Sequence, residues 1–583
     1  MLQPYWQSLP PALRAKLLPG TLGSFQCLHL ASSVLEAATT QAGAQPGTAS
    51  VQTLLHTGYG LLCGAWEDDP LNGDLARQLL QLDSRIASHW QSAPLGVRLS
   101  PEWRAALQQL GNAFSRPAAL RYYQKLAQQA DYDRIMAYLD GERAKAPDNL
   151  YWLQQILAVG ELAGQLDWAL DHVRTHWPRT APASLRTAVE AHTLCAMGRH
   201  ADVLALPNGP ELECSTLFTL RRAHSLWATG ARQKALSLWT DILHTRPWQV
   251  NLLLRLHDAV TTTDTPPTEA ECAATMGRTV ALLYSWNKAD DLDRALEALA
   301  PSAPGLAHIV ALNNGSTDDT GAVMNAWQER LGKRMRVVHL PVNVGAPAAR
   351  NWLKQLPEVR DANFVAYLDD DAVLPGDWLR HMARAILTCP DASVWGGKIL
   401  DHHAPHVVQS ADLHIAVAPA PNAGEDTPFS PHLAHGEPFN VTDIHAQVAD
   451  TGGFNYIRPC LSVTGCCHLF RAEALMECGD FSLTLSPSQY DDLEHDLRLA
   501  TKGGHCAYTG FLAVRHGKRT GKSVQMSAAQ FGNGLGNKYK LHAMYSREQV
   551  EAMHWRECQL MEQDLLNKAR TLDQQLGEIS PSI

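Results

Sequence analysis

Apolar residues recur at helical spacing through the first half of the chain. Runs at 152–162 and 217–227 place apolar side chains on one face, which predicts amphipathic helices. Residues 1–124 show the same pattern with Pro and Gly interruptions, and we predict a helical N-terminal region there. The Thr- and Pro-rich stretch at 261–268 breaks the pattern and predicts a linker.

Within this helical half, a small residue recurs between successive helices over residues 125–262. The four anchors are Ala130, Gly164, Gly198 and Gly230, with spacings of 34, 34 and 32 residues. A helical hairpin of this length buries its apolar face only when a neighbour stacks on it, so an array is expected. The segment resembles tetratricopeptide repeats in degenerate form, and a generic helical bundle is the alternative.

Beyond the linker, short β-type runs alternate with helical segments. The predicted strands are 279–284, 306–312, 336–340 and 364–368, and the helices between them are 290–300, 321–331 and 346–355. This alternation predicts a doubly wound, mostly parallel sheet of the Rossmann-like α/β type, with ligands at the carboxyl ends of the strands. The expected fold class is multidomain, with an all-α helical repeat region before the α/β domain. The predicted domains are 1–124, 125–262, 275–520 and a helical C-terminal extension at 521–583.

Polar side chains follow each of the four predicted strands. They are Ser285-Trp286-Asn287-Lys288, Asn313-Asn314-Gly315-Ser316-Thr317-Asp318, the stretch from Asn343 to Asn351, and Asp369-Asp370-Asp371. Because the carboxyl ends of parallel strands share one edge of a sheet, these clusters are expected to converge. An Asp triplet is more often a solvated turn. Directly after an apolar strand, however, its hard oxygen ligands favour a site for Mn²⁺ or Mg²⁺.

Composition narrows the classes of function. The formal net charge is −10, from 49 basic and 59 acidic residues, and no basic run is present, which argues against nucleic-acid binding. No apolar run reaches the roughly 20 residues that span a bilayer. The first residues lack the pattern of a signal peptide, and the 12 cysteines are scattered. A cytoplasmic protein without a transmembrane segment is expected.

Six ordered motifs between 279 and 520 resemble family 2 glycosyltransferases of the GT-A fold. The motifs are Ser-Trp-Asn-Lys at 285–288, Asn-Asn-Gly-Ser-Thr-Asp at 313–318, Asn-x-Gly-x-x-x-Ala-Arg-Asn at 343–351, Tyr-Leu-Asp-Asp-Asp at 367–371, Val-Thr-Gly-Cys-Cys-His-Leu-Phe-Arg at 463–471 and Asp-Asp-x-Glu-x-x-Leu-Arg at 491–498. The resemblance implies a hexosyltransferase-like, inverting enzyme. It would move a sugar from a nucleotide-diphosphate donor to an acceptor hydroxyl, with Mn²⁺ or Mg²⁺ at the Asp-x-Asp motif.

The resemblance assigns donor-binding roles to residues at the strand ends. It implies that Trp286 packs on the nucleotide base and that Asn314 reads the base edge. Arg350 corresponds to a basic residue near the base or diphosphate. The predicted donor-binding set also contains Ser285, Asn287, Asp369 and Asp370. Asn313 and Tyr284 depart from the family's usual residues at positions that touch nucleotide recognition, so UDP, dTDP and GDP remain open.

The resemblance also implies a metal site and a catalytic pair. Asp369 and Asp371 are the outer carboxylates of the Asp-x-Asp motif, and His516 falls where relatives often place a histidine near the metal. Asp492 corresponds to the general base of inverting members. Asp491 corresponds to its acidic neighbour, which could raise the pKa of Asp492 by charge proximity. The alternative for this pair is compensation of a helix dipole.

Three further segments carry predictions. Residues 401–458 are expected to form the acceptor-binding region, as mobile loop surface rather than a second metal site. Its histidines are His402, His403, His406, His414, His432, His435 and His445. The stretch at 532–536 is predicted to be a flexible hinge, because no strand precedes it as in a phosphate-binding loop. The cysteines from 460 to 478, around a buried strand predicted at 461–470, are expected to be buried thiols without zinc-site spacing.

The combined prediction is a glycosyltransferase whose repeats hold a protein or glycan acceptor, with a lipid-linked acceptor as an alternative. The missing Gln-x-x-Arg-Trp motif of processive synthases favours single addition. The rival is a non-catalytic repeat scaffold with a degenerate sugar-nucleotide-binding domain, against which the intact acidic motifs argue. A nucleotidyltransferase would need a Gly-rich loop with Lys or Arg after the first strand, which 285–288 does not supply.

Overall fold

The computed structural model describes residues 2–44, 49–87, 98–209, 212, 215–417, 437–442, 444, 448–518 and 527–579. Within them, a helical N-terminal region precedes an α/β domain, so the predicted fold class is confirmed. The last helix packs on both parts of the chain.

Six helices build the start of the helical region. They are α1 (Leu2–Ser8), α2 (Pro11–Leu17), α3 (Ser24–Ala44), α4 (Ala49–Asp68), α5 (Gly73–Arg85) and α6 (Pro101–Ala113). Asn72 and Ser100 begin α5 and α6 because their side chains accept the first free backbone N–H groups. The helical character predicted for residues 1–124 is therefore confirmed where the structure describes them.

The next eight helices follow in consecutive pairs. They are α7 (Arg121–Gln129), α8 (Tyr132–Lys145), α9 (Leu150–Ala163), α10 (Leu166–Thr175), α11 (Ala183–Ala196), α12 (His200–Ala205), α13 (Thr216–Ala228) and α14 (Arg232–Thr245). Each small anchor lies between the two helices of a pair, with φ of 48° at Ala130, 74° at Gly164, 71° at Gly198 and 89° at Gly230. This left-handed conformation ends one helix so that the next can begin. The identification of these pairs as tetratricopeptide repeats stays a prediction.

Two helices flank the predicted linker. They are α15 (Val250–Val260) and α16 (Glu269–Met276). Thr268 caps α16 through a capping box. The carbonyl groups of Thr265 and Pro267 accept hydrogen bonds from Arg384 and Arg380 of the α/β domain. The linker is therefore held against the α/β domain.

A mixed sheet forms the centre of the α/β domain. The strands are β1 (Thr279–Ser285), β2 (His308–Asn314), β3 (Met335–Leu340), β4 (Phe364–Asp369), β5 (Ala372–Val373), β6 (Val394–Asp401), β7 (Val407–Ser410), β8 (Ile415–Val417), β9 (Phe439–Val441), β10 (Val448–Ala449), β11 (Ile457–Cys460), β12 (Cys467–Arg471) and β13 (Cys506–His516). The main order among the described strands is β10-β7-β6-β12-β4-β1-β2-β3, while β13 pairs with β5, β6 and β11, and β8 pairs with β9. Since β4, β1, β2 and β3 are parallel, their carboxyl ends share one edge.

Helices cover this sheet. They are α17 (Ala289–Leu299), α18 (Thr320–Leu331), α19 (Ala346–Lys354), α20 (Pro357–Arg360), α21 (Trp378–Thr388), α22 (Ala472–Cys478), α23 (Asp491–Thr501), α24 (Ala528–Ala543) and α25 (Arg547–Ile579), with short 3₁₀ helices at Ala300–Gly305, Gly332–Arg334 and Leu483–Leu485. The strands and helices predicted between 279 and 368 are confirmed to within two residues at each end.

Two local predictions are wrong. Residues 532–536 do not form a hinge but lie inside α24, where the side chain of Asn537 donates hydrogen bonds to the carbonyl groups of Leu485 and Ser488. This anchoring offsets the low helix propensity of three glycines. The strand predicted at 461–470 is wrong for its first part, because Ser462 forms only an isolated bridge with Leu413, residues 465–466 form a turn, and β12 begins at Cys467. The cysteines at 460, 466, 467 and 478 are buried, as predicted.

The helical region and the α/β domain share one apolar core, in which Leu254 and Val280 belong to the same cluster of buried residues. Buried polar contacts join them as well. Asp258 Oδ2 accepts the Ile457 N–H at 2.7 Å, next to where α15 packs on α25. Across the described residues, no helix combines the length and the apolar character that a membrane span requires.

Candidate active site

Three potential metal ligands meet at the carboxyl end of β4. Asp369 ends that strand, and Asp371 lies two residues further on. His516 ends β13, and the pairing of β13 with β5 places His516 opposite Ala372. One ligand atom from each of the three lies within 4.8 Å of the others. His516 Nε2 is 3.1 Å from Asp371 Oδ1 and 3.7 Å from Asp369 Oδ2.

The donor set of this cluster suits a divalent cation. Two carboxylates and one imidazole are ligands that Mn²⁺ accepts. Asp371 Oδ1 is buried and makes no hydrogen bond of good geometry, so a lone pair is free for a ligand. His516 Nδ1 faces Gln409 Oε1 at 3.1 Å, which turns Nε2 toward the carboxylates. Such an outer partner is usual for a metal-binding histidine.

Asp370, the middle carboxylate of the triplet, is bonded to the end of β1. Ser285 Oγ donates a hydrogen bond to Asp370 Oδ2 at 2.6 Å. Lys288 Nζ lies 3.0 Å from Asp370 Oδ1 and 2.9 Å from Asp371 Oδ2. Burial raises the pKa of Asp370 to about 6 despite these partners. Burial would also raise the pKa of Asp371, but His516 and Lys288 hold it well below its usual value.

Arg350 is buried between the Asp triplet and the predicted catalytic pair. Its guanidinium nitrogens lie 3.9 Å from Asp369 Oδ1 and 3.6 Å from Asp491 Oδ2. The rings of Tyr284 and Phe481 lie 5.7 and 5.3 Å from its guanidinium carbon. The positive charge of Arg350 therefore offsets the negative charges of Asp369 and Asp491 inside the domain. Its predicted contact with a base or diphosphate stays a prediction.

The predicted catalytic pair begins α23. Asp491 is buried, which raises its pKa, and Arg350 opposes that effect. Asp492 is half-buried, and its Oδ2 accepts the Gly465 N–H at 2.9 Å. A Cβ on Gly465 would lie 2.5 Å from this oxygen, so the close approach requires glycine. Asp492 is therefore the more exposed member of the pair, and its catalytic role stays a prediction.

The loops after β1 and β2 form the candidate donor-binding surface. Trp286 is 51% exposed there. Asn287 has a φ of 53°, and its Oδ1 accepts the Thr317 N–H at 2.8 Å, which ties the two loops together. Asn314 is buried and donates a hydrogen bond to Asn343 Oδ1 at 3.0 Å, so it supports the loop after β3. Its reading of a base edge stays a prediction.

Three residues outside the predicted set complete the site: Lys288, Gly465 and Gln409. Lys288 and Gly465 lie inside motifs already described. A lysine directly after β1, together with an Asp triplet at the end of another strand, could have predicted an ion pair. Gln409 gave no signal in the sequence. Its contact with His516 joins positions 107 residues apart, and only the pairing of strands brings them together.

The histidine-rich segment at 401–458 packs against the rest of the chain where it is described. His406 Nε2 lies 2.9 Å from the Glu161 carbonyl oxygen of the helical region. His414 is buried between Asp412 and Glu557, whose charges make its burial possible, so the prediction of loop surface is wrong for His414. His402 and His403 lie in the turn after β6. His432, His435 and His445 lie outside the described residues, as does the predicted domain boundary at 520.

Residues 282–407 match the family model of Glycosyl transferase family 2. The match covers about a fifth of the chain. It includes the ends of β1, β2 and β4, whereas Asp491, Asp492 and His516 lie beyond it. The match supports a family 2 glycosyltransferase domain in this part of the chain. No curated protein sequence matches the chain.

Three solved structures show a distant likeness. GalNAc-T7 with UDP, GalNAc and Mn²⁺ is 13% identical, over 46% of this chain and 48% of its own, with a TM-score of 0.35. The mannosyltransferase PcManGT from Pyrobaculum calidifontis, in complex with GDP-Man and Mn²⁺, is 14% identical, over 60% of this chain and 88% of its own, with a TM-score of 0.32. S. aureus TarS in complex with UDP-GlcNAc is 15% identical, over 43% of this chain and 62% of its own, with a TM-score of 0.28. The chain thus spans about half of GalNAc-T7 and less than two thirds of TarS, and likenesses at this level assign no substrate.

Proposed function

We propose that the protein is a metal-dependent glycosyltransferase that moves a sugar from a nucleotide-diphosphate donor to an acceptor hydroxyl. The observation that carries the proposal is the meeting of Asp369, Asp371 and His516 at the end of β4. The two aspartates lie inside the segment that matches family 2 glycosyltransferases. A cation site at the carboxyl edge of a parallel sheet lies where such sheets bind nucleotides.

Residues at this edge are suited to hold the donor. The exposed ring of Trp286 offers a face on which a base can stack. Ser285 and Asp370 fix the end of β1, and Asn287 joins the loops after β1 and β2. The base would lie over these loops, and the diphosphate would lie beside Asp369. UDP, dTDP and GDP all fit this description.

Asp369, Asp371 and His516 would hold Mn²⁺ or Mg²⁺, and the imidazole favours Mn²⁺ because Mg²⁺ prefers oxygen ligands. A bound cation would neutralise the charge that builds on the departing diphosphate. Lys288 adds a second positive charge at the same edge, 2.9 Å from Asp371. Gln409 keeps the His516 ring oriented for ligation.

Asp492 is the proposed general base of an inverting transfer. Its carboxylate takes the proton of the acceptor hydroxyl while the acceptor oxygen attacks the anomeric carbon of the sugar. The bond from that carbon to the diphosphate oxygen breaks, and the electron pair leaves with the nucleoside diphosphate. Gly465 holds Asp492 in place through its N–H, and Asp491 stays with Arg350.

We also propose that the acceptor is a protein or a glycan and that the helical region contributes to holding it. The support is architectural: helical arrays present extended concave surfaces. Part of this region packs on the α/β domain, as the contact between His406 and Glu161 shows. The surface left for an acceptor is therefore the part that faces away from this interface.

The experiment measures consumption of UDP-, GDP- and dTDP-sugars by the full-length protein with Mn²⁺. The readout is release of nucleoside diphosphate, and water or added glycans serve as acceptors. We expect one nucleotide class to be consumed. Asp492→Asn should lower the rate by about 10²–10⁴-fold and leave donor binding intact, because it removes only the base. The surface variant Asp377→Asn is the matched control and should keep full activity.

Two results would count against this function. Equal loss of donor binding in Asp492→Asn and in Asp371→Ala would contradict the separate roles of the two carboxylates. Binding of a nucleotide sugar without consumption, by a folded protein and with every acceptor tested, would favour the non-catalytic scaffold.

A further inference from the structure

Three helices of the helical region bring one thiol and two imidazoles together. Cys195 lies in α11, His200 is the first residue of α12, and His224 lies in α13. One potential ligand atom from each lies within 4.8 Å of the others. Among the residues that the structure describes, this is the only such group that includes a cysteine. It is separate from the acidic edge of the sheet.

The group is held by packing. Cys195 is buried, and His200 and His224 are half-buried. The two histidine rings stand edge to face with centroids 5.3 Å apart. The His224 ring packs on a loop of the α/β domain, where a Cβ on Gly452 would come within 2.2 Å of the ring. Within the described part of the chain, His224 has no hydrogen-bond partner. A polar ring held in this way is available to a ligand.

An outer partner also suits a metal ligand set. Ser225 Oγ donates to the Arg221 carbonyl at 2.9 Å, so it accepts from His200 Nδ1 at 3.3 Å and leaves the other ring nitrogen of His200 available to a ligand.

We propose that Cys195, His200 and His224 bind Zn²⁺. One thiolate with two imidazoles is a donor set that zinc accepts, whereas Mg²⁺ prefers oxygen ligands. Binding forms three metal–ligand bonds and releases the proton of the Cys195 thiol to solvent. The proposal does not depend on the proposed glycosyltransferase activity.

A fourth coordination position would open on a cavity between the helical region and the α/β domain. His224 lines this cavity, which has a volume of about 250 Å³. Asp68, Glu161 and Arg221 also line it, so polar groups are present among its largely apolar walls. A cavity that is roomy enough and offers polar partners can hold water. A water molecule is therefore the expected fourth ligand of a tetrahedral zinc ion.

Zinc at this site would join α11, α12 and α13 beside residues 448–454 of the α/β domain. A metal that binds only the folded state stabilises it. Zinc is therefore expected to raise the Tm of the protein and to leave the chemistry at Asp492 unchanged.

Cobalt substitution tests this proposal. Metal-free, full-length Asp371→Ala, in which the acidic cluster has lost one of its three ligands, is titrated with Co²⁺. We expect the visible d–d bands of four-coordinate Co²⁺ and a thiolate-to-cobalt charge-transfer band in the near ultraviolet, both displaced by Zn²⁺. Loss of an outer partner of a metal ligand alone costs about 10–100-fold in affinity. His224→Ala, which removes a ligand, should therefore weaken binding by at least about tenfold.

The cysteine variants give the matched comparison. Cys195→Ser should abolish the charge-transfer band, while Cys63→Ser, a buried cysteine of α4 outside the cluster, should keep it. If Cys195→Ser does not fold, loss of the d–d bands in His200→Ala serves instead. A folded Asp371→Ala protein without the charge-transfer band, or a band that survives in Cys195→Ser, would overturn the proposal.

Discussion

At the scale of single residues, buried charge holds the acidic edge of the sheet together. Arg350 is the cation shared by Asp369 and Asp491, and its side chain is only 5% exposed. Carboxylates buried in this way need a paired cation to stay ionised. The rings of Tyr284 and Phe481 replace the water that the guanidinium loses on burial.

We expect Arg350→Met to lower the free energy of unfolding by about 3–5 kcal/mol, because it leaves a buried carboxylate unpaired. Arg336, which pairs with Glu358 on the surface, supplies the control. Arg336→Met should cost less than about 1 kcal/mol. Denaturant unfolding measures both losses. Adding Asp491→Asn should restore part of the stability of Arg350→Met, and a further loss of stability instead would contradict this account of charge balance.

The contact between Gly465 and Asp492 leads to a second prediction. In Gly465→Ala, the new methyl group would displace the carboxylate oxygen that it meets at 2.5 Å. We expect kcat to fall by about 10²-fold, since a shift of about 1 Å in a reacting group costs that much. Donor binding should stay unchanged. Gly141→Ala, with open space around the new Cβ, is the control. A normal kcat in a folded Gly465→Ala protein would mean that the position of Asp492 is not critical.

At the scale of helices and strands, the left-handed anchors fix where each helical pair turns. Gly164 and Gly198 have similar φ values, yet only Gly164 lies against the α/β domain. A Cβ on Gly164 would come within 2.6 Å of the His403 carbonyl oxygen, whereas a Cβ on Gly198 would meet nothing within 4 Å. The two positions therefore separate the cost of backbone strain from the cost of a domain contact.

We expect Gly198→Ala to lower the free energy of unfolding by about 1–2 kcal/mol, the cost of a left-handed residue with a side chain. Gly164→Ala should lose a further 1–3 kcal/mol, roughly, because the added methyl group overpacks the interface. Thermal or denaturant unfolding gives both values. Equal losses at the two sites would show that the contact with residue 403 contributes nothing.

Local patterns were enough to predict the elements with strong periodicity. Strands β1, β2 and β4 were predictable because each is an apolar run. Each run ends in polar residues, which predicted the loops after β1 and β2 and the Asp triplet at the end of β4. The anchors at Ala130, Gly164, Gly198 and Gly230 were visible as small residues at a regular spacing, and all four adopt positive φ. In both cases the deciding interactions lie close together in the sequence.

Elements that depend on distant contacts were not predictable in the same way. The stretch at 532–536 is helical because Asn537 bonds the backbone at Leu485 and Ser488, about fifty residues away. His414 can be buried because Glu557 of α25 lies beside its ring and can balance its positive charge. Propensity favoured a hinge in the first case and surface in the second, and tertiary contacts override both.

At the scale of the whole molecule, the helical region and the α/β domain are joined by a continuous apolar core and by α25. The contact of Asp258 with Ile457 is buried, and Trp6 of α1 donates a hydrogen bond to Glu562 of α25. Interfaces between domains that move independently are smaller and more polar. The helical region is thus part of the framework that carries the candidate site.

This continuity predicts a single cooperative thermal transition. In scanning calorimetry of the full-length protein, the calorimetric and van't Hoff enthalpies should agree, because neither part can unfold without exposing the core of the other. The Arg336→Met variant, altered only on the surface, should behave in the same way. Two resolved transitions would show that the helical region and the α/β domain unfold separately.

We propose that Asp369, Asp371 and His516 bind a nucleotide-sugar donor through a divalent cation. A thermal-shift measurement with UDP-, GDP- and dTDP-sugars, with and without Mn²⁺, on the wild type, Asp371→Ala and Asp377→Asn tests this proposal. We predict that one nucleotide class stabilises the wild type and Asp377→Asn only when Mn²⁺ is present, by about 2.7 kcal/mol at a donor concentration of 100 times Kd, and that Asp371→Ala loses this effect. Donor stabilisation that persists without Mn²⁺ and in Asp371→Ala would contradict the proposal.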